Sequence, residues 1–165
     1  MIGLFDRPFS DGSLPKIGKP ASPAPASGDE NRWMVYELHP VGHVESSLTD
    51  PALAPKQGTE GGPDAWLVFE DDYEPAMGDL AVGERVHVIT WLHLADRSVL
   101  RVHPRDDETQ PMRGVFDTRS QDRPNPLGLH TVTILAVEGN RVLVSDLEAV
   151  DGTPVIDVKP VLHTD

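Results

Sequence analysis

Cysteine is absent from this 165-residue sequence, and long hydrophobic runs and positive charge are scarce. Without cysteine the chain has no disulfide framework, no zinc–thiolate site and no thiol nucleophile. No run of about twenty apolar residues predicts a membrane-spanning helix. The N-terminus also lacks the basic-then-apolar order of a signal peptide. We therefore expect a soluble, cytoplasmic protein without a membrane partner.

The scarcity of positive charge limits the possible partners. Lysine and arginine number 14 against 27 aspartates and glutamates, which gives a formal net charge of -13. Non-specific binding to phosphate backbones needs clustered Lys and Arg, so any nucleic-acid partner must be held locally. The same acidity equally suits solubility or a saline habitat.

The length and the composition along the chain predict one folded domain preceded by an arm. The chain is long enough for one domain with a hydrophobic core and too short for two ordinary ones. From Pro15 to Gly28 the sequence is dominated by Pro, Ala, Ser, Gly and Lys, with almost no large apolar group. Such a segment buries too little surface to offset its ordering entropy. We expect a flexible arm over 1–33, disordered or docked on a partner subunit, and a domain over 34–165.

The domain is predicted to be mainly β. Short segments rich in β-branched residues alternate with turn residues, and no long segment has the 3.6-residue period of a helix. Six or seven strands are expected to close into a single compact β-barrel, because closure removes exposed edges. The predicted strands are 41–46, 65–69, 85–94, 99–102, 131–137, 141–144 and 155–158.

Two joints between strands are marked by glycine. Glu138-Gly139-Asn140 separates two apolar runs and predicts a hairpin in which the glycine supplies an unusual turn dihedral. The segment Asp151-Gly152-Thr153-Pro154 predicts a tight turn that leads into the last strand.

The segment from Gly114 to Leu129 reads G-V-F-D-T-R-S-Q-D-R-P-N-P-L-G-L. Two arginines, an asparagine and two prolines within this stretch fit neither a core strand nor an amphipathic helix, because each proline removes a backbone donor and fixes φ. An ordered binding loop is the better interpretation.

This motif, together with D-G-T-P-V-I-D-V-K-P over residues 151–160, resembles the TrmO family of TsaA-like proteins. These are S-adenosylmethionine-dependent tRNA methyltransferases. The resemblance implies a compact β-barrel that binds S-adenosyl-L-methionine and works as a homodimer. It also implies methylation of the 6-amino group of threonylcarbamoyl-adenosine beside the tRNA anticodon.

Carried over by position, the resemblance implies cofactor contacts from five segments. These contacts are Pro55, Lys56 and Gln57; His93 and Leu94; Arg119; Leu129; and Asp151, Gly152, Thr153 and Pro154. For Asp151 the alternative is a structural turn, and for His93 a residue that ends the strand beginning near Arg85. Neither His87 nor His103 has metal-ligand spacing with His93, so no metal is predicted.

The two arginines of the motif and Asn125 have rival interpretations. A guanidinium group suits the carboxylate of a cofactor or a substrate, so Arg119 is assigned to the cofactor and Arg123 to the substrate. The alternative is that the arginines brace the loop through Asp117 and Asp122. Asn125 is the candidate catalytic residue, since its oxygen is suited to accept hydrogen bonds from an adenine amino group; otherwise it satisfies its own turn.

Three departures from the family keep other functions open. Lys56 replaces the usual arginine and so loses the planar fork of donors. The chain is acidic, and it ends at Asp165, whereas longer bacterial members carry a C-terminal domain implicated in tRNA engagement. The alternatives are a methyltransferase for a small amine metabolite and a non-catalytic S-adenosylmethionine-binding module.

Overall fold

The computed structural model describes residues 36–162, and the predicted arm over residues 1–33 lies outside that range. The described chain is mainly β, as predicted. Its strands are β1 (Gly42–Glu45), β2 (Ala65–Phe69), β3 (Arg85–Trp91), β4 (Arg101–Val102), β5 (Arg113–Gly114), β6 (Leu127–Glu138), β7 (Arg141–Val144) and β8 (Pro154–Pro160). Short 3-10 helices occur at Pro51–Leu53, Gly58–Glu60, Asp71–Met77, Pro104–Asp106 and Val115–Asp117. Within 36–162 no helix has the length and apolar character needed to cross a bilayer.

Six strands pair in a closed ring in the order β1, β2, β7, β6, β3, β8, and all of these pairs are antiparallel. The ring closes because β1 pairs with both β2 and β8. The register shifts between Ile89 and Thr90 in β3 and between Ile134 and Ala136 in β6. Such irregularities bend strands and increase their twist, as a closed sheet requires. Strands β4 and β5 form a separate two-stranded ribbon.

The core fills the ring because side chains alternate between its two faces. In β2, Ala65, Leu67 and Phe69 are buried, and the residues between them are partly exposed. A period of two places every second residue on one face of a strand. Each Leu, Ile or Val that is fully buried contributes roughly 1.5–3 kcal/mol of hydrophobic free energy. The most deeply buried apolar side chains include Val44, Leu67, Val88, Ile134, Val144, Leu147 and Val155.

The strand bounds differ from the prediction where prolines and the motif intervene. Strand β3 ends at Trp91, short of the predicted Leu94, and its last residue pairs with Leu127. Strand β6 begins at Leu127, four residues before the predicted start, so the end of the motif joins the barrel after Pro126. The alternation of buried and exposed residues continues through this segment, with Gly128 buried between exposed leucines. The interpretation of 114–129 as loop throughout was therefore wrong for its last three residues, and β5 was not predicted.

Both glycine turns are confirmed. Gly139 has a φ of 57° between β6 and β7, and Gly152 has a φ of 74° just before β8. These left-handed values favour glycine because it has no Cβ.

Candidate functional site

An open cleft lies beside the barrel, where four loops meet, and the motif loop contributes Gln121. It measures about 350 Å³, counted with its open mouth. The loop after β1 contributes Pro51 and Ala54, the loop after β3 contributes Leu92 and His93, and the loop before β8 contributes Ala149. Its walls are largely apolar, which suits a ligand with a flat aromatic part.

Three of the predicted cofactor residues line this cleft. His93 and Leu94 lie in the loop that follows β3, and Thr153 lies at its floor, where it is 1% exposed. Because β3 ends at Trp91, His93 is a loop residue and does not end the strand. Pro55 directly follows Ala54, which also lines the cleft. Leu129 lies on the outward face of β6 and is 50% exposed.

A buried polar chain leads from the barrel interior to the cleft. Nδ1 of His130 lies 2.9 Å from Oε1 of Glu148, and Nε2 of His130 lies 2.9 Å from the hydroxyl of Thr90. His130 is 5% exposed and Thr90 is fully buried, whereas Glu148 reaches the cleft. The Nδ1–Oε1 pair has a short distance but poor hydrogen-bond alignment. The contact gives each buried polar group a neighbour, and buried polar groups without any partner are costly.

The chain of contacts keeps the carboxyl of Glu148 ionised. Burial raises the pKa of Glu148, but the close contact with His130, aided by the charge of Arg119, outweighs it. The pKa is therefore lowered. An ionised carboxylate in an apolar cleft is suited to accept hydrogen bonds from a cation.

Gly128 leaves the space that this polar chain occupies. A Cβ at Gly128 would lie 2.3 Å from the hydroxyl oxygen of Thr90 and 2.5 Å from Nε2 of His130. Gly128 pairs with Thr90 across β6 and β3, so any side chain here would enter the hydrogen bond between Thr90 and His130. The glycine of the motif thus has a packing role inside the barrel.

Arg123 is bound to its own loop. Its Nε donates to the carbonyl of Ser120 at 2.7 Å, and one terminal nitrogen donates to the carbonyls of Val115 and Thr118 at 3.2 and 2.7 Å. The predicted braces were the carboxylates of Asp117 and Asp122, which the structure places elsewhere. Asp117 pairs with Arg113, and Asp122 accepts from the backbone of Asp96. Carbonyls brace the loop because its turns aim them at the guanidinium group.

Arg119 and Asn125 are exposed on this braced loop. The charge of Arg119 helps to lower the pKa of Glu148. The carbonyl of Asn125 accepts from the backbone of Leu127 at 2.8 Å, so the backbone of Asn125 closes a turn between two prolines. Arg97 donates to the carbonyl of Pro124 at 2.9 Å and so ties the loop to the segment that carries His93.

The predicted segment 55–57 is fastened from the other side. Lys56 forms an ion pair with Asp106, and Arg105 binds Glu60 through two hydrogen bonds of 3.1 and 2.8 Å. Arg105 and Asp106 have φ values of 59° and 58°. Two consecutive left-handed residues cost of order 1–3 kcal/mol each, so the ion pairs hold a strained loop against this segment. Gln57 is exposed and precedes the 3-10 helix that follows, without a capping hydrogen bond from its side chain.

The turn at residues 151–154 joins the barrel wall. Oδ1 of Asp151 accepts from the backbone of Ser46 at 3.0 Å, and the amide of Gly152 donates to the carbonyl of Val44 at 2.8 Å. Pro154 begins β8 and pairs with His43. The structural role weighed for Asp151 is thus filled.

Sequence reasoning missed Glu148, His130 and Thr90. The available signal was His130, a polar residue at a position where the alternation along β6 predicts burial. Glu148 gave no signal, because its place in the cleft depends on the path of a loop. Within the described residues 36–162, no group of three or more His, Asp or Glu side chains is arranged to hold a metal.

Comparison with known proteins extends over most of the described chain. Residues 43–165 match the model of the tRNA-methyltransferase O N-terminal domain. A probable S-adenosyl-L-methionine-binding protein of Methanothermobacter thermautotrophicus is 41% identical over 127 residues, 77% of this chain and 90% of that protein. An S-adenosyl-L-methionine-binding protein of Archaeoglobus fulgidus is 40% identical over 122 residues, 74% of this chain and 86% of that protein.

A solved structure shares the fold. The crystal structure of TrmO from Pseudomonas aeruginosa superposes with a TM-score of 0.63 and 26% identity. The match covers 78% of this chain and 57% of that one, so this chain corresponds to little more than half of the length of that TrmO.

Proposed function

This chain belongs to the tRNA-methyltransferase O N-terminal domain family, and from that premise we propose that it is an S-adenosyl-L-methionine-dependent N-methyltransferase whose cofactor lies in the cleft. The observation that carries the proposal is that predicted cofactor residues from two separate loops line the same cleft. These residues are His93 and Leu94 of one loop and Thr153 of another, all assigned to the cofactor from the motif resemblance alone.

The residues around the cleft fit this cofactor. Apolar walls suit the adenine ring, and the positive charge of Arg119 suits the carboxylate at the amino-acid end. Arg119 is assigned to the carboxylate. The fastened segment 55–57 and the turn 151–154 would hold the nucleoside from either side.

The bound cofactor supplies an electrophilic methyl group, which an amine nitrogen takes as the carbon–sulfur bond breaks. The residues of the braced loop then act by orientation, because holding two reactants in line removes much of the entropic barrier. The side-chain oxygen of Asn125 would accept a hydrogen bond from the attacking amine and so aim its lone pair. Arg123 keeps Asn125 in place through the loop carbonyls, and its assignment to the substrate remains a prediction.

The proposed acceptor is the 6-amino group of threonylcarbamoyl-adenosine beside the tRNA anticodon. The name of the matched family supports a tRNA substrate. The test is transfer of a labelled methyl group to tRNA that lacks only this modification. Incorporation of label supports the proposal, and the absence of label on this tRNA contradicts it.

The net charge of -13 favours a second candidate, a small amine metabolite as acceptor. An acidic surface repels the phosphate backbone, whereas it attracts a cationic amine. Methyl transfer to small amines but not to tRNA would select this candidate. Calorimetric binding of cofactor without transfer to either class would indicate a non-catalytic binding module.

The chemical role of Asn125 has its own test. Asn125→Ala is expected to lower turnover by about 10- to 100-fold through lost orientation, with cofactor affinity unchanged. Calorimetry with S-adenosylhomocysteine checks the affinity. Unchanged turnover with intact cofactor binding would remove the catalytic role.

A homodimer is proposed on the exposed apolar surface next to the motif. Leu127 and Leu129 project from the same face of β6 at 44% and 50% exposure, and Phe116 of the motif is 85% exposed. Large exposed apolar groups close together are typical of interaction sites. Light scattering that returns a monomer at micromolar concentration would contradict the dimer.

A further inference from the structure

Glu148 has no assigned role in this cleft, although it is the carboxylate that lines it. We propose that Glu148 binds the α-ammonium group at the amino-acid end of the cofactor, with His130 and Thr90 as its positioning residues. This inference rests on the proposed function, because it takes the ligand of the cleft to be S-adenosyl-L-methionine.

The orientation of Glu148 is fixed from inside the barrel. Its Oε1 faces Nδ1 of His130 at 2.9 Å, and the far side of the same ring contacts the hydroxyl of Thr90. His130 is 5% exposed, so its ring is held by packing on all sides. A buried side chain that is held in this way keeps a carboxylate in one geometry, as a binding group requires.

The second oxygen of Glu148 lies next to a segment assigned to the cofactor. A Cβ built at Gly58 would lie 2.9 Å from Oε2, so this oxygen lies against the loop that begins directly after Gln57. The loop of His93 borders the same cleft. Glu148 therefore lies between two segments assigned to the cofactor, the one before Gly58 and the loop of His93.

The charges around Glu148 select the group that it would bind. Arg119 is close enough for its charge to act on the Glu148 carboxyl. A cation whose charge reaches an anion matches an amino-acid end, in which an ammonium and a carboxylate are attached to one carbon atom. A ribose diol would leave Arg119 without an anion to bind, and it would require no charged acceptor.

The test compares two ligands that differ only at the amino-acid end. S-adenosylhomocysteine carries the ammonium and the carboxylate, and methylthioadenosine lacks both. Calorimetry of Glu148→Gln is expected to show affinity for S-adenosylhomocysteine reduced by about 10- to 100-fold, since a hydrogen bond to a charged group is lost. Affinity for methylthioadenosine is expected to stay within about twofold of the unchanged protein.

The controls separate charge, position and fold. Glu138→Gln removes the same charge at the exposed end of β6 and is expected to leave both affinities unchanged. His130→Phe keeps Glu148 but removes its support. This substitution is expected to lower the affinity for S-adenosylhomocysteine more than the affinity for methylthioadenosine. A general loss of structure would lower both affinities alike.

The outcomes are distinct. Equal losses for both ligands in Glu148→Gln would mean that the carboxylate contacts the nucleoside or supports the fold, and would overturn the inference. Unchanged binding of both ligands would also overturn it. Failure of the unchanged protein to bind either ligand would instead overturn the proposed function on which the inference rests.

Discussion

At the scale of single residues, a few small or polar side chains position the carboxylate of Glu148 in the cleft. Gly128 provides the space for the contact between Thr90 and His130, and His130 in turn faces Glu148. The consequence is that a motif glycine on one strand controls the position of a carboxylate on a distant loop.

Gly128→Ala is expected to destabilise the protein by about 1–3 kcal/mol, because a new methyl group would overlap Thr90 and His130 in a closely packed interior. The free energy of unfolding in urea measures this. Gly114→Ala is the matched control, since Gly114 has a φ of −63° and nothing lies within 4 Å of a Cβ there. Equal effects of the two substitutions would contradict the packing role of Gly128.

Glu148 is expected to make stability depend on pH in the acid range. Burial raises its pKa, but His130 and then Arg119 lower it below the ordinary value of 4.5. A carboxyl whose pKa is lowered by folding contributes stability that is fully present above the unfolded pKa and is lost as the pH falls through the folded pKa. The difference in unfolding free energy between the unchanged protein and Glu148→Gln should therefore be constant above about pH 4.5 and change below it.

Urea titrations of both proteins at a series of pH values provide the measurement. The values at acid pH provide the test. The carboxyls common to both proteins contribute equally to the two unfolding free energies and therefore cancel when one is subtracted from the other. Parallel curves through the acid range would show that the pKa of Glu148 is the same in the folded and unfolded chain.

At the scale of elements, the motif loop is ordered by its own backbone. Arg123 gathers three carbonyls between Val115 and Ser120, and Pro124 is tied to Arg97. The loop therefore presents Arg119 and Asn125 from a supported frame, and the two arginines of one motif have different tasks.

Arg123→Ala is expected to destabilise the loop, since three carbonyls lose their donor. Amide hydrogen exchange over residues 115–123 should rise, and the unfolding free energy should fall by about 1–3 kcal/mol. Arg119→Ala is the comparison: it lies exposed on the same loop, so stability should change by less than about 0.5 kcal/mol while cofactor affinity falls. A loss of stability in Arg119→Ala together with a loss of cofactor affinity alone in Arg123→Ala would contradict these roles.

At the scale of the whole molecule, the net charge of -13 means that negatively charged side chains of the closed barrel repel one another. Self-repulsion destabilises a compact state, and the Debye length shrinks from about 10 Å at 0.1 M salt to about 3 Å at 1 M. The melting temperature should therefore rise by a few degrees between roughly 0.1 and 1 M NaCl, since about 1 kcal/mol corresponds to roughly 2–4 °C at this size.

Calorimetry at neutral pH measures this shift. A variant that combines the exposed substitutions Glu74→Gln and Glu138→Gln carries less charge and should gain less from salt. A melting temperature that falls with salt, or an equal gain in both proteins, would show that repulsion is not what the salt screens.

The sequence by itself determined the mainly β character of the chain, the position of most strands and the turns at Gly139 and Gly152. These features follow from interactions between near neighbours: a period of two in apolar residues, and a glycine where φ is positive. It also determined the family, because the motif residues stand together in the chain.

Only the tertiary structure decided the composition of the cleft. Ala54, His93 and Glu148 are far apart in the sequence, and the paths of three loops bring them together. The partners of Arg123 likewise depend on where the turns aim their carbonyls. Local patterns fix which face of a strand is buried, but contacts between loops arise only when the ring closes, because no periodicity along the chain encodes them.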